Sequence, residues 1–153
     1  MGHVPGGRLT LVGDGSLRES LRRRARGAGA DVEFLGRVPH TELPALMHRA
    51  ELFVLPSHYE GHPKALVEAM ACGVPVVGTR VPGIEDVIVD RRNGVLCGTT
   101  APEIAAALTE LMGDAPLRER LAAEALTYVR AECSLDVAVQ RERAIIASLP
   151  LAV

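Results

Sequence analysis

The chain has 153 residues, enough for one domain with a sizeable core, and 48% of them are hydrophobic, which excludes a disordered chain. A formal net charge of -2, with 3% aromatic residues and no Trp, gives neither the basic field nor the stacking platform that nucleic acid requires. Cys72, Cys97 and Cys133 are odd in number, widely spaced and without a C-x-x-C pair, so reduced thiols are expected instead of a disulfide framework or a zinc site.

In chain order, the Gly-rich lead Gly2–Gly7 runs into a short apolar strand, Leu9–Val12. Gly13-Asp14-Gly15 turns the chain, with Asp14 capping the turn. Ser16 and Glu19 then predict a capping box and a helix that carries Leu17, Leu21, Ala25 and Ala28 on one face. The Arg22-Arg23-Arg24-Arg26 cluster on that helix reads as a solvated face. Val32–Leu35 is a second strand, Thr41 opens a short helix with Leu43, Leu46 and Met47, and Leu52–Leu55 is a third strand, ended by Pro56-Ser57. A helix is expected from about Pro63 to Ala71, stopped by Gly73, before a fourth apolar run at Val74–Gly78. Val87–Val89 and Gly94–Leu96 flank an Asn93-Gly94 turn signal. Thr100 and Glu103 form a second capping box, Asp114-x-Pro116 opens another helix, and residues 135–148 form the terminal one.

Strands that are apolar throughout and alternate with helices imply a parallel sheet covered on both faces, an α/β, Rossmann-like doubly wound domain. Such sheets bind ligands beyond the carboxyl ends of their strands. The loops of interest are therefore Gly13–Ser16, Gly36–His40, Pro56–Pro63 and Thr79–Glu85.

The loop after the third strand carries the most chemistry. Glu60 and Glu68 are eight positions apart, so one lies ahead of the predicted helix and the other about 8 Å along it at 1.5 Å per residue. Between them sits a helix N-terminus, whose free N–H groups and positive dipole end suit a pyrophosphate. Pro63 is compatible with the first helical turn. Carboxylates on either side can accept hydrogen bonds from sugar hydroxyls. The other reading of the two carboxylates is an ordinary charged helix surface. His3, His40, His48 and His58 show no metal spacing and read as surface or capping residues.

From Glu60 the sequence runs through Glu68-Ala69-Met70-Ala71-Cys72-Gly73-Val74-Pro75-Val76-Val77, and this element resembles the signature of family 4 (group 1) retaining glycosyltransferases. Leu11-Val12-Gly13-Asp14-Gly15, Val32-Glu33-Phe34-Leu35-Gly36, Leu55-Pro56-Ser57, Pro82-Gly83 and Asn93-Gly94 match in order, across about residues 8 to 135. Each piece alone is weak; the ordered set is specific.

The resemblance implies the C-terminal, nucleotide-sugar-binding domain of the two-domain GT-B fold, with residues 1–153 as one partial domain. It implies transfer of a hexose-type sugar from a nucleotide-diphospho-sugar, with that donor as substrate and no cofactor or metal. It assigns Glu60 to the transferred sugar and Glu68 to the ribose hydroxyls. The segment Gly61, His62, Pro63, Lys64, Ala65 and Leu66 would hold the phosphates, with N–H groups around Lys64, Ala65 and Leu66 facing the distal one. Arg37 and Val38 would lie against the base, and Gly13 and Gly15 would let the backbone approach the nucleotide. His62 stands where Phe is frequent; its imidazole packs as Phe does or donates to a sugar hydroxyl, the packing reading being favoured.

The family's opening strand and helix, with a basic clamp for the pyrophosphate, have no match here, because Gly2–Gly7 aligns with the loop after them. They and an acceptor-binding N-terminal domain are expected upstream, and any peripheral membrane link would run through that domain. The chain alone is expected to be catalytically incomplete, or else a module that binds nucleotide sugar without transferring it. A sugar-nucleotide epimerase or a phosphorylase of the same fold fits the Glu60–Gly73 element less well. With no signal pattern and no membrane-length apolar run, a cytoplasmic location is expected.

Overall fold

The computed structural model describes residue 4 and residues 6–149. The Gly2–Gly7 lead and His3 therefore fall wholly or partly outside the described residues. Five strands alternate with helices. They are β1 (Leu9–Val12), α1 (Arg18–Gly27), β2 (Val32–Gly36), a 3-10 turn (His40–Glu42) running into α2 (Leu43–Met47), β3 (Phe53–Leu55), α3 (Lys64–Ala71), β4 (Val76–Thr79) and β5 (Val95–Cys97). Three helices close the chain: α4 (Ala101–Gly113), α5 (Ala115–Glu132) and α6 (Leu135–Ser148). The class is α/β and Rossmann-like, as the continuous apolar strands imply.

The strands divide into two sheets. β1 pairs in parallel with β2, and β3, β4 and β5 pair in parallel in that order. Among the described residues β1 and β3 are not paired, so direct closure of the sheet between them does not occur. Thr10 and the strand ends Leu9 and Val12 are exposed, whereas every residue of β4 is buried between its two neighbours.

The core belongs to the second sheet. Successive strand residues point to opposite faces, and β4 shows it directly. Val76 packs with Leu66, Ala69 and Met70 of α3 and with Ile84 and Ile88, while Val77 packs with Val95, Ala107, Leu111 and Leu121. Helix α5 serves both layers, giving Leu121 to one and Ala125 to the other. Gly78 and Gly94 make this close packing possible. A Cβ on Gly78 would stand 3.0 Å from Ile88 Cδ1, and one on Gly94 2.8 Å from Val76 Cγ2.

Several local expectations change. Helix α1 begins at Arg18, with Leu17 at its N-cap and no side-chain cap, so the Ser16–Glu19 box does not form. Gly15 and Asp14 occupy the turn instead: Gly15 N–H donates to Asp14 Oδ1 at 2.9 Å, and Arg18 N–H donates to Gly15 O at 3.1 Å. No residue of α1 is buried, and Leu17 is 66% exposed, so its apolar face is uncovered. Arg23, Arg24 and Arg26 are solvated as expected, but Arg22 stacks over Phe34, 5.4 Å from the ring centroid. The Thr100–Glu103 capping box forms, with Thr100 N–H donating to Glu103 Oε2 at 3.1 Å. Asp114 caps α5 by accepting from Leu117 N–H at 2.9 Å.

Candidate functional site

Within each sheet the strands are parallel, so the loops that leave their carboxyl ends gather on one side. The β3–α3 loop is held by side-chain hydrogen bonds. Ser57 Oγ donates to Glu60 Oε1 at 2.6 Å. Thr79, 1% exposed at the end of β4, donates its hydroxyl proton to the carbonyl of Ser57, with the Leu55 carbonyl 3.5 Å away. A buried hydroxyl needs an acceptor, and this one finds it in the loop that carries Glu60.

Gly83 supports the same loop from below. Its φ of +83° is the left-handed conformation that glycine adopts freely, and a Cβ there would overlap the Glu60 carbonyl. The sequence reading placed Pro82-Gly83 and Ser57 in the matching motifs but gave them no role; their part in holding Glu60 depends on contacts across 3 to 23 positions of chain.

Helix α3 follows, with buried Pro63 at its N-cap. Lys64 N–H donates to His62 O at 2.9 Å and Leu66 N–H to Pro63 O at 3.0 Å, while Ala65 N–H has no acceptor among the described residues. Leu66 is fully buried and anchors the turn; Lys64 and Ala65 are exposed. His62 is exposed as well, so it does not pack as a Phe would. Glu68, on the second turn, is 37% exposed through its side chain, and its Oε1 lies 3.1 Å from His40 Nε2.

Arg37 and Val38 leave β2 in the stretch just before His40; Arg37 is exposed and Val38 half-buried. At the end of β1, Gly13 has a φ of +124°, and its N–H donates to Gly36 O at 2.7 Å. Arg18 stacks its guanidinium against Gly36, 3.1 Å from where a Cβ would stand, and pairs with Asp14 at 3.5 Å. Arg18 falls in none of the motifs that carry the resemblance, and His40 reads from the sequence only as a surface or capping residue.

Cys72 follows α3. Burial pushes its thiol up from the ordinary range, and the nearby Glu68 carboxylate pushes it further in the same direction. Among the described residues no helix is long and apolar enough to cross a membrane.

Comparison with known proteins shows the family to which the chain belongs. Residues 4–127 match the family model described as glycosyl transferases group 1, and the chain belongs to that family. It is 36% identical over 129 residues to the glycogen synthase of Mycobacterium tuberculosis, covering 80% of this chain and 31% of the relative. It is 29% identical over 153 residues to a GDP-mannose-dependent monoacylated alpha-(1-6)-phosphatidylinositol monomannoside mannosyltransferase of Corynebacterium glutamicum, covering 95% of this chain and 40% of that one. Anabaena Alr3699/HepE, solved in complex with UDP, superposes with a TM-score of 0.88 at 25% identity, over 95% of this chain and 42% of that one. The chain spans about a third of the length of the curated relatives it matches.

Proposed function

We propose that this chain is the donor-binding domain of a retaining glycosyltransferase that uses a nucleoside-diphosphate hexose. The observation that carries this reading is the placement of two carboxylates around one helix start. Glu60 is held by Ser57 and stacked on Gly83 ahead of α3, Glu68 lies on its second turn, and Ala65 N–H is unengaged between them. A pyrophosphate at the Gly61–Leu66 turn meets free N–H and the positive end of the helix. Glu68 then accepts from the ribose hydroxyls and Glu60 from the transferred sugar. Arg37 and Val38 border the base, and Gly13 and Gly15 give the backbone room beside the nucleotide. The Ala65 N–H and the helix dipole take the phosphate charge, so no resident metal is required.

UDP in the superposable Anabaena protein and GDP-mannose in the name of the corynebacterial relative support a nucleoside diphosphate as the ligand class. The test is calorimetric titration of the chain with UDP and with GDP. Saturable binding of one of them, unaltered by a chelator, is expected; absence of binding to both contradicts the reading. Because the chain spans about a third of its relatives, the second part of the proposal is that it transfers no sugar alone. An acceptor site, expected from residues upstream, is needed for transfer. Incubation with a labelled sugar nucleotide and an acceptor is expected to give no product, and a glycosylated acceptor contradicts it.

A further inference from the structure

We propose that His40 is the positioning residue of the nucleotide site, holding the Glu68 carboxylate in the orientation that accepts the ribose hydroxyls. This rests on the assignment of Glu68 to the ribose. His40 and Glu68 are 28 residues apart, on different elements, and their side chains meet at 3.1 Å. An ionised carboxylate only accepts, so the His40 Nε2 carries the proton in this contact.

The position of His40 in the chain gives the contact its meaning. His40 opens the 3-10 turn directly after Arg37, Val38 and Pro39, and Pro39 holds its backbone extended at φ -54° and ψ 139°. The segment proposed to border the base is thus tied, by one hydrogen bond, to the helix proposed to hold the ribose. A base and its ribose are covalently joined, so a site that binds both requires those two elements at a fixed separation.

The contact also leaves the carboxylate usable. It occupies one lone pair of Oε1 and leaves Oε2 and the remaining lone pair of Oε1 for a pair of neighbouring hydroxyls. A free Glu side chain loses rotamer freedom when it is ordered by a ligand. One already oriented by His40 loses less on binding, which is preorganisation. The pair itself is exposed, 78% for the His40 side chain, and an exposed pair contributes little to stability. Its consequence therefore falls on ligand affinity.

Titration of the chain and three variants with UDP (or with GDP, whichever the chain binds more tightly) and with the matching 2′,3′-dideoxy nucleotide tests this. His40→Ala is expected to weaken the ribonucleotide about threefold to tenfold and to leave the dideoxy nucleotide within a factor of two. His40→Gln, whose amide nitrogen reaches where Nε2 does, is expected to recover most of the loss. Equal losses on both nucleotides, or no loss on either, overturn the proposal. So does a Gln variant as weak as the Ala variant. Glu68→Ala separates this from failure of the underlying assignment. If that variant binds the ribonucleotide as the unaltered chain does, Glu68 does not hold the ribose and both readings fall. If it loses affinity while His40→Ala does not, the role of His40 alone is overturned.

Discussion

Gly83 lies directly against the backbone of Glu60: a Cβ on Gly83 would overlap the Glu60 carbonyl, 2.8 Å from its carbon, and the Gly83 φ is +83°. At this point the turn after β4 meets the backbone of the loop after β3. Neither partner can yield by changing a rotamer. Gly83→Ala is expected to destabilise the chain by about 1–3 kcal/mol through left-handed strain and overlap. It should also weaken sugar-nucleotide binding more than nucleotide binding, because the displaced residue is Glu60. Thermal unfolding and titration with UDP and UDP-glucose check both; an unfolding temperature and sugar increment equal to those of the unaltered chain would contradict the contact.

The divided sheet leads to a second expectation. Leu9 N–H donates to Asp31 O at 3.0 Å on the β2 side. In a parallel ladder donors alternate between neighbours, so Thr10 N–H points to the edge that faces away from β2, which is unpaired among the described residues. Leu9 and Val12 are more than 40% exposed beside it. Open apolar edges pair with other chains. The chain is expected to self-associate through this edge, and Thr10→Pro, which removes an outward donor without touching the Leu9 bond, to shift it toward monomer. Light scattering coupled to chromatography measures this; a monomeric chain whose mass Thr10→Pro does not change would rule it out.

Much of the fold was legible because burial imposes a plain pattern. β4 is covered on both faces, so it reads as an unbroken apolar run, and Thr100–Glu103 forms the capping box that its spacing predicts. The Ser16–Glu19 spacing is the same, yet no box forms: Leu17 and not Ser16 is the N-cap, and the helix begins at Arg18. Periodicity in α1 signalled an apolar face, which it has; periodicity carries no information on whether anything covers that face, and Leu17 and Leu21 are exposed. The Glu60–Glu68 spacing around a helix start was visible in one stretch of sequence. The groups that hold those carboxylates, Ser57 with Thr79 and Gly83 for Glu60 and His40 for Glu68, are tertiary contacts and leave no local pattern.

A third prediction concerns Cys72. Burial raises its thiol first and Glu68 second. A raised value means less thiolate at neutral pH, so alkylation should be slower than for an unperturbed thiol and should accelerate as pH rises through the alkaline range. Glu68→Gln removes the second cause and lowers the thiol toward its ordinary value. At fixed pH the Gln variant is therefore expected to alkylate faster at Cys72, with Cys133 unchanged. Peptide mass spectrometry after timed iodoacetamide treatment reads this, and an unaltered or slower Cys72 rate would contradict it.

The division of labour between the two carboxylates is the centre of the account, and titration of Glu68→Ala and Glu60→Ala with a nucleoside diphosphate and its sugar conjugate tests it most directly. Glu68→Ala is expected to lose about 1.5–3 kcal/mol toward the free nucleoside diphosphate, the worth of a charged hydrogen bond. Glu60→Ala is expected to bind that nucleotide as the unaltered chain does, and to lose only the additional affinity that the sugar confers. Equal losses for the two variants toward the free nucleotide, or a larger loss for Glu60→Ala, would contradict it.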